Sequence, residues 1–253
     1  ACGVRLEDGR EFRARAVAAN VNPKLLFGKL LDKSNVPPEF YARMMNWRCT
    51  SGTFRMNVAL RELPDFTCLP GKIQAGHHTA GIILAPDVEY MERAYIEARQ
   101  NGWSQNPVVE MLIPSTIDST LAPSDHHVAS LFCQHFDYDL PGDRSWDDER
   151  EAAADVIIDT VNRFAPNFSD AVIARQILSP LDLERDFGLI GGDIFHGALD
   201  LNQLFSLRPT LGYADYHMPL EGLYLCGSGA HPGGGVTGAP GHNAAREILR
   251  ELK

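Results

Sequence analysis

The chain has 253 residues, 44% of them hydrophobic and 22% charged, with a formal charge of −10 at pH 7. That length admits one large domain or two interleaved smaller ones, and the composition is that of an ordinary globular protein. The acidic balance argues against nucleic acid or an anionic membrane surface as the main partner, and no apolar run approaches the ~18 residues of a membrane-spanning helix.

In chain order, the opening ACGVRLEDGREFRARAVAAN reads as a β-hairpin. A three-residue loop at Glu7, Asp8 and Gly9, with Gly9 left-handed, sets Val4 opposite Phe12 and Arg5 opposite Glu11. A two-residue turn would instead pair Arg5 with Phe12. A chain that starts at a strand edge reads as a piece of something longer. Asn22-Pro23 then makes a helix start, with Asn as cap and Pro in the first turn, and KLLFGKLLD continues it amphipathically. Pro37-Pro38 opens a second short helix that runs to Met45. Phe54, Met56, Val58 and Leu60 alternate with polar residues, the pattern of a half-buried strand.

Further strands are expected at 79–84, 108–113, 127–136 and 171–178, with a helix at about 87–100. Another helix, about 146–164, is capped by Ser145 with Asp148 three residues on, and carries the apolar stripe Ala153, Ile157, Val161 and Phe164. The acidic stretch DYDLPGDRSWDDERE around its start reads as a solvated loop and a favourably charged helix N-terminus. The middle of the chain is therefore a mainly antiparallel sheet flanked by helices. GLYLCGSG at 222–229 reads as a short buried strand, followed by a glycine-rich loop and a helix over HNAAREILREL.

Two sets of residues invite a metal or redox reading. Cysteines stand at 2, 49, 68, 133 and 226, odd in number and without a CxxC pair, so neither a disulfide scaffold nor dithiol chemistry is expected, and reduced thiols are the default. Cys226 reads as a small packed residue at a strand end. His77-His78 and His126-His127 with His135 lack a carboxylate at ligand spacing, and adjacent strand residues face opposite ways, so no metal site is expected.

The densest signal is GAHPGGGVTGAPGHNAA at 229–245. Six glycines that could be alanines would cost on the order of 2–5 kcal/mol in unfolded-state entropy, so close approach of something to this backbone is expected. Residues 233–238 satisfy G-x-G-x-x-G, but neither a following strand nor an acidic ribose ligand follows, and no Gly-Lys-Ser/Thr makes a phosphate loop. What remains is a loop feeding a helix N-terminus aimed at a ligand. Phosphate, the anionic edge of a reduced flavin, and a merely tight turn all fit such an end.

GLYLCGSGAHPGGGVTGAPGHNAA resembles the C-terminal FAD-binding segment of phytoene-desaturase-like flavoproteins. GGDIFHGALDLNQLFSLRP at 191–209 looks most like the pyridine nucleotide-disulphide oxidoreductase domain-containing protein 2 group within them, and GVRLEDGREFRARAVAANVNP resembles the end of the first FAD-domain segment. The three landmarks span nearly the whole chain. The resemblance implies an α/β chain: an α+β substrate domain with a mainly antiparallel sheet at 23–205, and pieces of a Rossmann-like FAD domain at 1–22 and 206–253. The family's N-terminal GxGxxG unit is absent, so the chain reads as a C-terminal fragment, inactive by itself, whose partner is the missing half of the FAD domain.

Carried over by position, Gly227, Ser228 and Gly229 would lie near the pyrophosphate and ribityl chain. Gly234, Gly235, Val236 and Thr237 would lie under the flavin pyrimidine edge, with His231 in the same loop. Gly191, Gly192, Phe195 and His196 would lie on the substrate side of the flavin, which makes His196 the candidate catalytic residue. The implied activity is hydride transfer between an apolar substrate, polyenes among the candidates, and flavin N5, the protein positioning the substrate and tuning the flavin. A non-catalytic binding module of flavoprotein ancestry is the alternative. A phosphate binder is disfavoured because the loop has no Lys or Arg. The location defaults to the cytoplasm, with mitochondrial and membrane-associated relatives on record in the family.

Overall fold

The computed structural model describes residues 1–50 and 52–253. In chain order the elements are β1 (Gly3–Arg5), β2 (Glu11–Arg13), β3 (Val17–Ala19), α1 (Pro23–Leu25, running into a π-helical turn at Leu26–Leu30) and α2 (Pro38–Met45). Next come β4 (Phe54–Leu60), β5 (Ile82–Leu84), α3 (Val88–Asn101), β6 (Trp103–Leu112), β7 (His127–Phe136) and α4 (Trp146–Phe164). The chain closes with α5 (Phe168–Ala171), β8 (Val172–Leu178), α6 (Pro180–Phe187), β9 (Leu223–Leu225) and α7 (Ala239–Glu251). The mixed helix and mostly antiparallel sheet is the expected fold class. Among the described residues no helix is long and apolar enough to cross a membrane.

Two compact units divide the chain: 1–51 with 188–253, and 52–187. The sequence reading drew its joins at 22/23 and 205/206. The difference has a physical cause. Leu26, Phe27, Phe40 and Met44 from α1, its π turn and α2 share one core with Ala19, Leu223 and Leu225 of β3 and β9, so these helices pack with the flanking segments and not with the central sheet. Phe27 and Phe40 meet edge to face at 4.7 Å, and Phe40 meets Tyr213 at 4.6 Å.

In the discontinuous unit, β1 and β2 form the expected hairpin with Val4 opposite Phe12 and Arg5 opposite Glu11. Leu6 N–H donates to Arg10 C=O across the loop, and Gly9 has φ 88°. β3 and β9 pair in parallel, Val17 with Leu223 and Ala19 with Leu225. Asn22 caps α1 as expected, its Oδ1 accepting from Lys24 N–H at 2.8 Å.

The continuous unit is a five-stranded sheet in the order β5-β6-β7-β4-β8, every neighbouring pair antiparallel. Phe54, Met56, Val58 and Leu60 of β4 are buried, and the intervening residues are half-buried. Their shared face packs under α4 through Ala153, Ile157 and Val161. Ser145 caps α4 by a reciprocal pair of bonds with Asp148. Strand 79–84 shortens to β5, because Gly76–Thr79 form a 3-10 turn. There the rings of His77 and His78 lie 3.9 Å apart, so the opposite-face reasoning for that pair does not hold.

Phe54 is fully buried against Phe136 and Trp146, with ring centroids 5.0 and 5.8 Å away. Phe54→Ala is expected to lower stability by about 3–5 kcal/mol, read as a shift of the urea midpoint by tryptophan fluorescence. Ile73→Ala, at a position 88% exposed, should leave the midpoint within about 0.5 kcal/mol of the parent.

Candidate functional site

β9 ends at Leu225, and the chain turns through the glycine-rich loop into α7, whose first turn carries Pro240. A groove of ≈ 240 Å³ lies over this turn. Of the residues singled out by the resemblance, Gly227, Ser228, Gly234, Val236 and Thr237 line it, together with Asn20 from the end of β3. Gly229, His231 and Gly235 stand in the same loop but do not line the groove. Thr237 Oγ1 accepts from Ala239 N–H at 3.1 Å, which settles one donor of the helix start.

The glycines meet two different demands. Three are approached closely by the chain itself. A Cβ at 227 would come within 2.0 Å of Asn20 Oδ1, one at 229 within 2.5 Å of Pro23 Cδ, and one at 234 within 2.5 Å of the Phe195 ring. Gly238 has open space beside it and Gly235 only an ordinary contact with Thr237 at 3.7 Å, but they adopt φ 71° and 124°, where a side chain is strained. Among the six glycines at 229–241 the expectation of close approach therefore holds at 229 and 234, with packing partners from this chain, and Gly227 just before them is approached in the same way.

The loop at 191–203 packs against the glycine loop, but Gly191, Gly192, Phe195 and His196 do not line the groove. Gly191 and Gly192 have φ 67° and 62°, and a Cβ at 191 would lie 2.4 Å from the Cys49 carbonyl oxygen. Phe195 packs on Gly234. His196 has φ 57°, and its carbonyl accepts from Trp47 Nε1 at 2.8 Å. Its Nδ1 is buried without a partner, as is Nδ1 of His231. Burial, opposed by Asp193 and assisted by Arg208, holds the His196 pKa below its ordinary value, so the ring is neutral at pH 7.

Sequence reasoning missed the residue that joins the two loops. Arg208 is fully buried. Its Nε donates to the Ser228 carbonyl at 2.8 Å, one terminal nitrogen to Gln203 and Ala198 carbonyls at 3.1 and 3.4 Å, and the other to Phe195 and Gly197 carbonyls at 2.7 and 3.3 Å. All five N–H groups of the guanidinium are thereby used on backbone. Burial pushes its pKa down to about 10, and it stays charged at neutral pH. Gln203 adds a second stitch: its Oε1 accepts from Arg48 N–H at 2.8 Å, while its Nε2 donates to the Arg48 carbonyl at 3.0 Å.

Asn22 donates through Nδ2 to Cys49 Sγ at 3.3 Å, and burial pushes the Cys49 thiol up. Burial does the same to Cys226. Neither thiol has the depressed pKa of a nucleophile. The groove thus offers backbone amides and carbonyls and the Ser228 and Thr237 hydroxyls, and the buried, unpartnered Nδ1 atoms of His196 and His231 lie in the adjoining loops. Such a neutral, glycine-walled groove fits part of a flavin cofactor, whose heterocycle and ribityl chain are satisfied by neutral donors and acceptors.

Two measurements check this reading. Arg208→Met strands five carbonyls and is expected to destabilise the unit by about 3–5 kcal/mol, visible as faster amide exchange over 195–203, with Arg208→Lys recovering only part of the protection. For His196 the folded pKa lies below the unfolded value of 6.5. The unfolded chain then takes the proton first, and stability falls as pH drops through and below about 6.5. His196→Asn, which tolerates the positive φ, should give urea midpoints that fall less between pH 7 and 5 than those of the parent.

No family model matches the chain. The pyridine nucleotide-disulfide oxidoreductase domain-containing protein 2 of Mus musculus is 44% identical over 256 residues, an alignment covering 99% of this chain and 44% of that protein. Prolycopene isomerase 2, chloroplastic, of an Oncidium hybrid cultivar is 25% identical over 243 residues, covering 93% of this chain and 37% of that one. Among solved structures, cyclohexylamine oxidase from Brevibacterium oxydans superposes with a TM-score of 0.54 at 15% identity, covering 96% of this chain and 44% of that chain. The chain therefore spans less than half the length of the curated relatives it matches. In residue identity the chain is thus homologous to pyridine nucleotide-disulfide oxidoreductase domain-containing protein 2 over less than half of that protein's length, and its fold is that of FAD-dependent oxidoreductases.

Proposed function

We propose that this chain supplies one wall of the flavin site of an FAD-dependent oxidoreductase that acts on a small apolar substrate, polyenes among the candidates. The observation that carries the proposal is the groove at the start of α7. Its walls are Gly227, Ser228, Gly234 and Thr237, and the buried, unpartnered Nδ1 atoms of His196 and His231 belong to the two loops that meet at Gly229 and Gly234. FAD, when bound, supplies hydride acceptance or donation at N5.

The chain's own residues act by positioning. The α7 N-terminus presents its positive end to a group that becomes anionic on reduction, an interaction worth about 0.3–2 kcal/mol depending on burial. Arg208 fixes the Ser228 backbone relative to Phe195 and Gly197, so the loop faces its ligand with little rearrangement. His196, neutral because buried, donates or accepts one hydrogen bond on the substrate side of the flavin. It serves there as the candidate catalytic residue. In this proposal the glycine loop and α7 form the flavin side, and the loop at 191–203 faces the substrate. The remainder of the FAD site comes from sequence outside this chain, and the chain alone is inactive.

Gly235→Val forces a branched side chain into φ 124° beside the groove. In the full-length polypeptide it is expected to cut the flavin recovered with the natively purified protein at least tenfold, read from the visible flavin absorbance per polypeptide. The parent should carry close to one flavin. A full-length parent that holds no flavin overturns the proposal in favour of a non-catalytic binding module.

A further inference from the structure

β5 is an edge strand of the five-stranded sheet, and a cavity of ≈ 310 Å³ opens beside it, wholly within the continuous unit. Phe66, Leu69, Ile82, Leu84 and Phe164 contribute apolar walls. The volume falls at the lower end of the roughly 300–1,000 Å³ of small-molecule sites. No carboxylate, lysine or arginine lines it.

Its wall includes one imidazole, that of His77. The neighbouring His78 uses both ring nitrogens, Nδ1 accepting from Ala75 N–H at 3.2 Å and Nε2 donating to the Pro64 carbonyl at 3.0 Å. His77 is different. Its ring is held against His78 at 3.9 Å and edge-on to Phe66 at 6.1 Å, and its Nε2 is buried with no hydrogen-bond partner. A buried polar atom left unpaired is unfavourable, and a ligand that satisfies it gains specificity as well as affinity.

We propose that this cavity binds a neutral hydrocarbon molecule carrying a single hydroxyl group, the hydroxyl on His77 Nε2 and the hydrocarbon against Phe66, Ile82 and Phe164. A hydroxyl both donates and accepts, so it pairs with Nε2 in either tautomer. A pure hydrocarbon leaves that nitrogen unpaired. A carboxylate or ammonium would bring a charge into apolar walls that hold no counter-charge. Burial and the adjacent His78 also hold His77 below its ordinary pKa, so it offers no cation to an acid at neutral pH. The inference uses only the continuous unit and stands independently of the flavin proposal.

The test is a titration of this chain, isotope-labelled at isoleucine δ1 methyls, with 1-octanol and separately with octanoate at pH 7. The expected result is saturable shifts of Ile82 and Ile83 with 1-octanol, and binding of octanoate at least tenfold weaker. His77→Phe keeps a ring against His78 and Phe66 and is expected to weaken 1-octanol about tenfold, the equivalent of one hydrogen bond. Ala85→Trp, which fills the cavity from its rim, should abolish the shifts while leaving distant methyls in place. Non-saturating shifts, equal affinity for alcohol and carboxylate, or undiminished binding by a folded His77→Phe variant would each overturn the proposal. The comparison of the two ligands on the parent chain decides the matter even if a variant fails to fold.

Discussion

A guanidinium that is taken wholly out of water must find a partner for every N–H, and Arg208 finds them all on main chain. The planar fork dictates where those carbonyls stand. Ser228 on one side and the turn through Phe195, Gly197 and Ala198 on the other are held to one plane, with Gln203 completing it. Lysine has three donors on a flexible stem and could not impose that plane. The glycine loop and the 191–203 loop are consequently a single hydrogen-bonded object. Trp47, whose ring lies 5.3 Å from the guanidinium carbon, closes one side of it and binds the His196 carbonyl as well.

That clamp also explains why so many glycines are concentrated here. When two loops are drawn together through backbone atoms, there is little room between them for side chains. Phe195 lies where a Cβ of residue 234 would be, and Pro23 where a Cβ of residue 229 would be. The uncrowded positions, Gly235 and Gly238, are of another kind and shape the entry into α7. A glycine-rich stretch is therefore a mixture of internal contact and ligand-facing backbone, and composition by itself does not separate them.

The sheet unit was legible because its signals are local. Alternation over 54–60, the Ser145–Asp148 cap and the apolar stripe of α4 each follow from neighbours within a few residues. α6 was legible too but was passed over: Ser179-Pro180-Leu181-Asp182 is a capping sequence, and Ser179 and Asp182 exchange hydrogen bonds as such a motif does. Trp103–Pro107 carries no clean period, and β6 begins there only because Trp103 pairs with Phe136 across a register shift. The site was legible only on one side. The glycine loop announces itself, whereas Arg208 and Gln203 look like ordinary surface residues until partners 5 to 155 positions away bury them. Likewise the boundary at 51/52 depends on which core α2 joins, a choice made by tertiary packing of Phe40 and Met44.

The parallel pairing of β3 with β9 has a consequence for how the chain reaches its folded state. Val17 meets Leu223 only after about 200 intervening residues have been made. A ribosome-bound chain can complete the continuous sheet unit, all of whose strand partners lie within 52–187, while β3 still lacks its neighbour. Closing so long a loop is entropically costly, though the cost grows only slowly with length once the inserted unit is compact. Assembly of the glycine loop with the Arg208 clamp then waits for β9 to emerge, and it brings β3, α1 and α2 out of an exposed, waiting state. The interval before β9 emerges is the one in which apolar surfaces of α1 and α2 are open to misassociation.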